Sequence, residues 1–299
     1  MARLRIIITD PPPPPIDPPP PDVGPPPADP SGATRSQVVA GAGLTNAGIL
    51  TPSGSVTVTT TNAVIENLDI TGTLNIKANG VTVRNCRVQG YSSVSVVRLY
   101  PPFGNCLIEH CEVVALASST DPLKAPNAAI SGSTCVGLNV RWCDISGFAD
   151  GIKAEETSYI EYNVIAMSKP SGSAKHLDGI QNSGRSHVFI RGNVIDADIS
   201  LGGNAAVFTQ AYNGSSCKHI YDNIVQGNWL KGGNYSVYMM GGKNIASCDN
   251  DLYKWVHDQH VVDNVFEGSE RYGPLWVRVP TETEVVGNVD SLGNPVVSI

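Results

Sequence analysis

The chain has 299 residues, a formal net charge of −7, 41% hydrophobic residues and only 6% aromatic ones. Its Lys and Arg are scattered rather than clustered, which disfavours a nucleic-acid or other polyanion binder. No apolar run approaches the roughly 18–20 residues of a bilayer-spanning helix, so membrane insertion is not expected. Thirty glycines and little long amphipathic periodicity suit short strands joined by tight turns.

The first ten residues, MARLRIIITD, hold two arginines and three isoleucines, but Asp10 and a proline block stand where a signal peptide would carry its apolar core and cleavage site. No leader is read here. Thirteen of the 22 prolines fall between Pro11 and Pro30. Proline cannot donate a backbone hydrogen bond, so this stretch predicts an extended polyproline II arm or spacer, ordered by a partner if at all. The expected organisation is a proline-rich arm over 1–35, a cap over 36–60 and a solenoid over 61–299.

Beyond residue 60 one motif recurs nine times. It reads Ile65-Glu66-Asn67-Leu68-Asp69-Ile70, then Val83-Arg84-Asn85-Cys86-Arg87-Val88, and so on to Val285-Val286-Gly287-Asn288-Val289-Asp290. Its fourth position falls at 68, 86, 111, 143, 163, 193, 223, 264 and 288, with spacings from 18 to 41 residues. A fixed motif at an irregular period predicts a constant strand–turn–strand corner with variable loops elsewhere in each coil. The fold class expected is therefore all-β, a single-stranded right-handed parallel β-helix. The fourth position changes from Leu68 through Cys86, Cys111 and Cys143 to asparagines, which predicts a cysteine ladder followed by an asparagine ladder inside the corner. Seven cysteines is an odd number, and these three suit reduced core thiols; Cys217 and Cys248 remain a candidate pair.

A second set of strands includes Val96-Val97-Arg98-Leu99, Gly151-Ile152-Lys153, Gly179-Ile180-Gln181, Ala205-Ala206-Val207-Phe208, Ser236-Val237-Tyr238-Met239 and Leu275-Trp276-Val277-Arg278. Alternation turns their aliphatic residues inward and sets Arg98, Lys153, Gln181, Phe208 and Tyr238 toward the surface. On this sheet two successive coils share Asp150-Gly151-Ile152-Lys153 and His176-Leu177-Asp178-Gly179-Ile180-Gln181. Stacking places Asp150 and Asp178 about 4.8 Å apart, where two carboxylates favour a shared proton or a bound divalent cation; no other cofactor is expected.

Asp150, Asp178, His176 and Lys153 are the candidate catalytic groups of a polysaccharide lyase or glycosidase. The competing reading makes each Asp a turn cap before a glycine of unusual φ/ψ, with His176 an ordinary loop residue. Gln181, Arg185, Tyr212, Trp229, Tyr238 and Trp276 are candidate binding residues, the rings being suited to stacking on sugar faces or filling a protein interface.

Gly48-Ile49-Leu50-Thr51-Pro52, Val64 to Gly72, His176 to Gln181, Asn204-Ala205-Ala206-Val207, Asn228-Trp229-Leu230-Lys231-Gly232-Gly233 and Tyr272-Gly273-Pro274-Leu275-Trp276 occur in order. Together they resemble a family of actinobacterial and actinobacteriophage right-handed β-helix proteins in the pectate-lyase-like superfamily. The resemblance, with the proline arm, implies a phage minor tail or tailspike protein of the virion. It would form a homotrimer, attach to other tail proteins through the arm and meet a host cell-surface polysaccharide. A secreted bacterial protein, a glycan depolymerase and a purely structural tail subunit are the alternatives. The chain departs from pectinase-like enzymes in having no adjacent Asp-Asp pair, Gly-His-Gly or Arg-Ile-Lys.

Overall fold

The structure is a computed structural model that describes residues 32–91, 94–116, 127–132, 134–167, 177–197, 203–213, 216–240, 256–278 and 283–297, with backbone alone at 212–213, 216–217 and 240. Residues 1–31 of the proline-rich arm and Cys248 lie outside these residues, as does the side chain of Cys217.

The chain winds as a right-handed parallel β-helix of three sheets, of ten, nine and nine strands, in which strands pair with their equivalents one coil away. Each coil runs from sheet C to sheet A to sheet B, as in Thr82–Arg84, Arg87–Gly90 and Ser95–Leu99. Period-two alternation sends one apolar residue per strand into the shared interior. Ile145, Ile165 and Ile195 stack from sheet A, Ile152, Ile180 and Val207 from sheet B, and Val140, Ile160 and Ile190 from sheet C. All are at most 1% exposed, and burial of each such side chain favours folding by about 1.5–3 kcal/mol. Thr51–Ser53 and Val56–Val58 already pair into sheets A and B, so the solenoid begins there.

The corner between sheets C and A keeps its length while the others vary. It consists of one left-handed residue followed by one inward residue. The left-handed position is held by Asn85, His110, Trp142, Tyr162, Gly192, Gly227, Asp263 and Gly287. For a bulky residue this conformation costs about 1–2 kcal/mol, offset here by stacking: Trp142 lies 5.0 Å from Tyr162 and 6.2 Å from His110, both nearly parallel.

At the inward position Cys86, Cys111 and Cys143 are free, buried thiols, each donating to a carbonyl two residues back. Asparagines follow. Asn193 Oδ1 accepts from the backbone N–H and the side-chain amide of Asn163, while its own Nδ2 donates to Ile160 O and Asn228 Oδ1. Asn228, Asn264 and Asn288 repeat the scheme.

One rung corrects the sequence reading. The ladder residue of its coil is Asn228, not Asn223, so the intervals there are 35 and 36 residues. Asn223 opens the sheet C strand Asn223–Gln226 and bonds Val188 N and Gln259 Oε1 instead. The slip has a physical origin. The turn into sheet C is built the same way, a left-handed Asp222 before an inward Asn223, and so imitates the Gly227-Asn228 corner.

Residues 32–50 form a strap over the C–A corner, running against the order of the coils. Helix α1, Arg35–Gly41, starts at a Thr34–Gln37 capping box, and its buried Val38 packs on Tyr162 and Val194. A Cβ on Gly41 would stand 2.8 Å from the Trp142 ring, so glycine permits that approach. The strap then bonds Trp142 O through Gly43 N, and Asn85 through Asn46.

Candidate functional site on sheet B

Corner turns of constant length leave the long connections to flank sheet B on both sides. Across this sheet one register column runs Asn75, Arg98, Ser131, Lys153, Gln181, Phe208, Tyr238, Trp276. At about 4.8 Å per strand it spans roughly 34 Å. Its first half is cationic and polar; its last three places are aromatic.

The two halves meet at a pair of carboxyls. Asp150 and Asp178 occupy adjacent rungs, fixed by the pairings Ile152 to Ile180 and Lys153 to Gln181. Asp150 Oδ1 accepts from Asp178 N at 3.3 Å, and its Oδ2 lies 3.1 Å from Lys153 Nζ. Asp178 is fully buried. Burial, reinforced by the neighbouring Asp150 charge, holds its carboxyl well above the usual range, against the lowering effect of Asn204, Lys153 and Gln181. Asn204 Nδ2 donates to Asp178 Oδ1 at 2.8 Å and Gln181 Nε2 to Oδ2 at 3.2 Å. Amide and ammonium donors therefore surround the pair. These donors leave no free carboxylate oxygen pair for the divalent cation considered from the sequence, while burial and the Asp150 charge are what favour the protonated form of Asp178.

Glycine follows each Asp for want of space, not for unusual dihedrals. Neither Gly151 nor Gly179 has a positive φ, whereas a Cβ on Gly179 would meet Ile195 Cγ2 at 2.4 Å and Ala206 O at 2.5 Å.

Beside this pair opens a cleft of about 540 Å³, lined by Asp178, Gln181, Asn204, Phe208, Tyr235, Tyr238 and their neighbours. Its rings, Phe208, Tyr235, Tyr238 and Tyr272, form one connected group with Trp276 of the neighbouring strand. Tyr235 stacks on Trp276 at 5.6 Å, Tyr238 lies 4.7 Å from Trp276, and Phe208 meets Tyr238 edge-on at 5.6 Å. Tyr272, 58% exposed, leans on Tyr235. A wall of rings over convergent amides and one buried carboxyl presents both the apolar faces and the hydrogen-bonding groups that a sugar demands.

No protein-family model and no curated protein matches the sequence. Among solved structures, the A-module of mannuronan C-5 epimerase AlgE6 of Azotobacter vinelandii is similar at 15% identity and a TM-score of 0.40, covering 80% of this chain and 58% of that one. A glycoside hydrolase is similar at 13% identity and a TM-score of 0.34, covering 75% of this chain and 37% of that one. The chain thus spans less than two thirds of either structure.

The structure gathers Asp150, Asp178, Lys153, Gln181, Tyr238 and Trp276 on sheet B and distributes the remaining candidates elsewhere. Arg185 follows the strand Asp178–Ser183, where its Nε lies 3.2 Å from Glu155 Oε2. Burial pushes the Glu155 carboxyl up to about 7 despite that pairing. Trp229 belongs to sheet A and packs with Val38, Tyr162 and Val194 under the strap, away from the cleft. Tyr212 lies in a short hairpin with Ser216–Cys217 and its side chain is not described; His176 is outside the described residues. Asn204 and Asn234 were not singled out from the sequence as site residues. Their signal is positional, since each sits where a strand enters sheet B.

Proposed function

We propose that the chain is a carbohydrate-binding β-helix whose sheet B face holds an extended polysaccharide. The observation that carries this reading is the Asn75-to-Trp276 column, which ends in an aromatic cleft floored by Asp178, Asn204 and Gln181. A parallel β-helix repeats one chemical position per coil, and so suits a polymeric ligand laid across its strands. The phage assignment rests on the resemblance of the motifs and on the proline-rich segment. In that setting the chain is a minor tail or tailspike protein that adsorbs to host cell-envelope glycan and is joined to the tail by its arm.

A second reading, glycan modification, is favoured by one feature: a buried carboxyl at the cleft floor, whose hold on its proton is strengthened by burial and the Asp150 charge, with Lys153 nearby. A neutral acid is what protonation of a departing glycosidic oxygen requires. The test is incubation of the purified protein with actinobacterial cell-wall polysaccharide, reading both retention and released sugars for wild type and D178N. Retention without release supports adsorption. Release abolished in D178N makes the chain a depolymerase, and neither retention nor release sinks the carbohydrate reading.

A further inference from the structure

In sheets A and C the exposed cations are neutralised within the fold. Sheet C carries the register column Glu66, Arg84, Glu109, Arg141, Glu161, Arg191, in which signs alternate strand by strand. Arg84–Glu66 and Arg141–Glu109 close at 2.7 and 2.8 Å. In sheet A, Arg87 sits between Asp69 and Glu112, and Lys231 pairs with Asp196 at 2.7 Å.

Sheet B breaks this rule in its first coils. Lys77 Nζ lies 4.8 Å and Arg98 Cζ 4.5 Å from the centre of the same Tyr100 ring, and Tyr100 Oη donates to Asn75 Oδ1. Among the described residues neither cation has a carboxylate partner, and Arg98 Nε is shut off from solvent without a hydrogen bond. Two like charges gathered on one ring repel, and the ring quadrupole offsets only part of that cost. Lys153, two strands on in the same column, is by contrast paired with Asp150 at 3.1 Å.

We infer that this cluster of Lys77, Arg98 and Tyr100 is an anion-binding stretch that makes the preferred ligand an acidic polysaccharide. This rests on the carbohydrate reading of sheet B and specifies it. The acidic groups of the glycan lie over the first coils, where guanidinium and ammonium donate to them, and its sugar faces lie over Phe208, Tyr238 and Trp276. Binding is then salt-dependent at one end and salt-tolerant at the other.

The experiment separates actinobacterial cell-wall polysaccharide into neutral and acidic pools by anion exchange. It then measures affinity of the full chain for each pool, and for the acidic pool after its carboxyl groups are reduced. Wild type is expected to bind the acidic pool about tenfold more tightly than the neutral one. K77Q/R98Q should lose that preference with a melting temperature no lower than wild type, while Y238A/W276A should weaken both pools. Equal affinity for the two pools, or a preference that survives K77Q/R98Q, overturns the inference and leaves the carbohydrate reading standing. Binding to neither pool overturns both, and tighter binding of single-stranded DNA than of the acidic pool replaces the glycan with a nucleic acid.

Discussion

The outer faces of sheets B and C are made by the same coils and the same backbone, yet they are chemically opposite. Sheet C closes its charges on itself, Glu against Arg on successive strands. Sheet B leaves Lys77 and Arg98 unneutralised, buries Asp150 and Asp178 beneath the surface and crowds five rings toward its last coils. Self-satisfied ion pairs fix strand register and contribute modestly to stability. Cations without an internal carboxylate and open rings do nothing for the fold that a self-paired face would not do better, and this contrast is what supports the proposal that sheet B is the ligand-bearing face.

The most disruptive substitution should be one that both faces share. Asn193→Ala removes four buried hydrogen bonds and strands partners in both neighbouring coils. Chemical denaturation should register a loss on the order of 3–5 kcal/mol, and a loss under about 1 kcal/mol would mean that the coils are not joined through this ladder.

Binding separates the faces. Y238A/W276A should lower glycan affinity on the order of 100-fold, about 1.4 kcal/mol per ring, whereas Y159A/F189A, which removes the stacked pair of sheet C, should leave it unchanged.

Acidity gives a third distinction. Glu155 is held up at about 7 by burial, so the folded protein keeps a proton there that the unfolded chain releases near its ordinary carboxylate range. Its favourable contribution is complete below that range and is lost as pH rises through about 7. Asp178 is raised in the same sense. E155Q should flatten the decline in stability between about pH 4.5 and 7 by at most about 3 kcal/mol, measured as melting temperature against pH. A decline as steep as wild type would place the responsible protons elsewhere.

The smallest effect belongs to sheet C. E109A/R141A removes one link of the ion column and should cost about 0.5–1 kcal/mol, with glycan affinity unaltered.

Much of the architecture was legible because a β-helix writes its period into the sequence. The Ile-Glu-Asn-Leu type of corner, the inward aliphatics and the outward Arg98, Lys153, Gln181, Phe208 and Tyr238 followed from alternation alone. The register at Asn223 did not, because two different turns use a left-handed residue before asparagine, and local sequence cannot tell which turn it describes. The site was legible where it consists of repeats, as with Asp150 and Asp178. It was hidden where stacking brings residues of different coils together: Lys77 lies 21 residues before Arg98 and meets Arg98 and Tyr100 only when the coils stack. For the same reason an acidic chain without basic runs can still carry a local cationic stretch. That Trp229 stands apart from the sheet B rings was not legible either, since the strap it packs beside comes from residues far away in sequence.

The most direct measurement is oxidative footprinting of the full chain with and without actinobacterial cell-wall polysaccharide, read residue by residue by mass spectrometry. Tyr235, Tyr238, Tyr272 and Trp276 on sheet B are expected to be protected by the glycan, while Tyr159 and Phe189 on sheet C keep their reactivity. Protection of the sheet C rings with those of sheet B unchanged would contradict the assignment of sheet B as the ligand-bearing face.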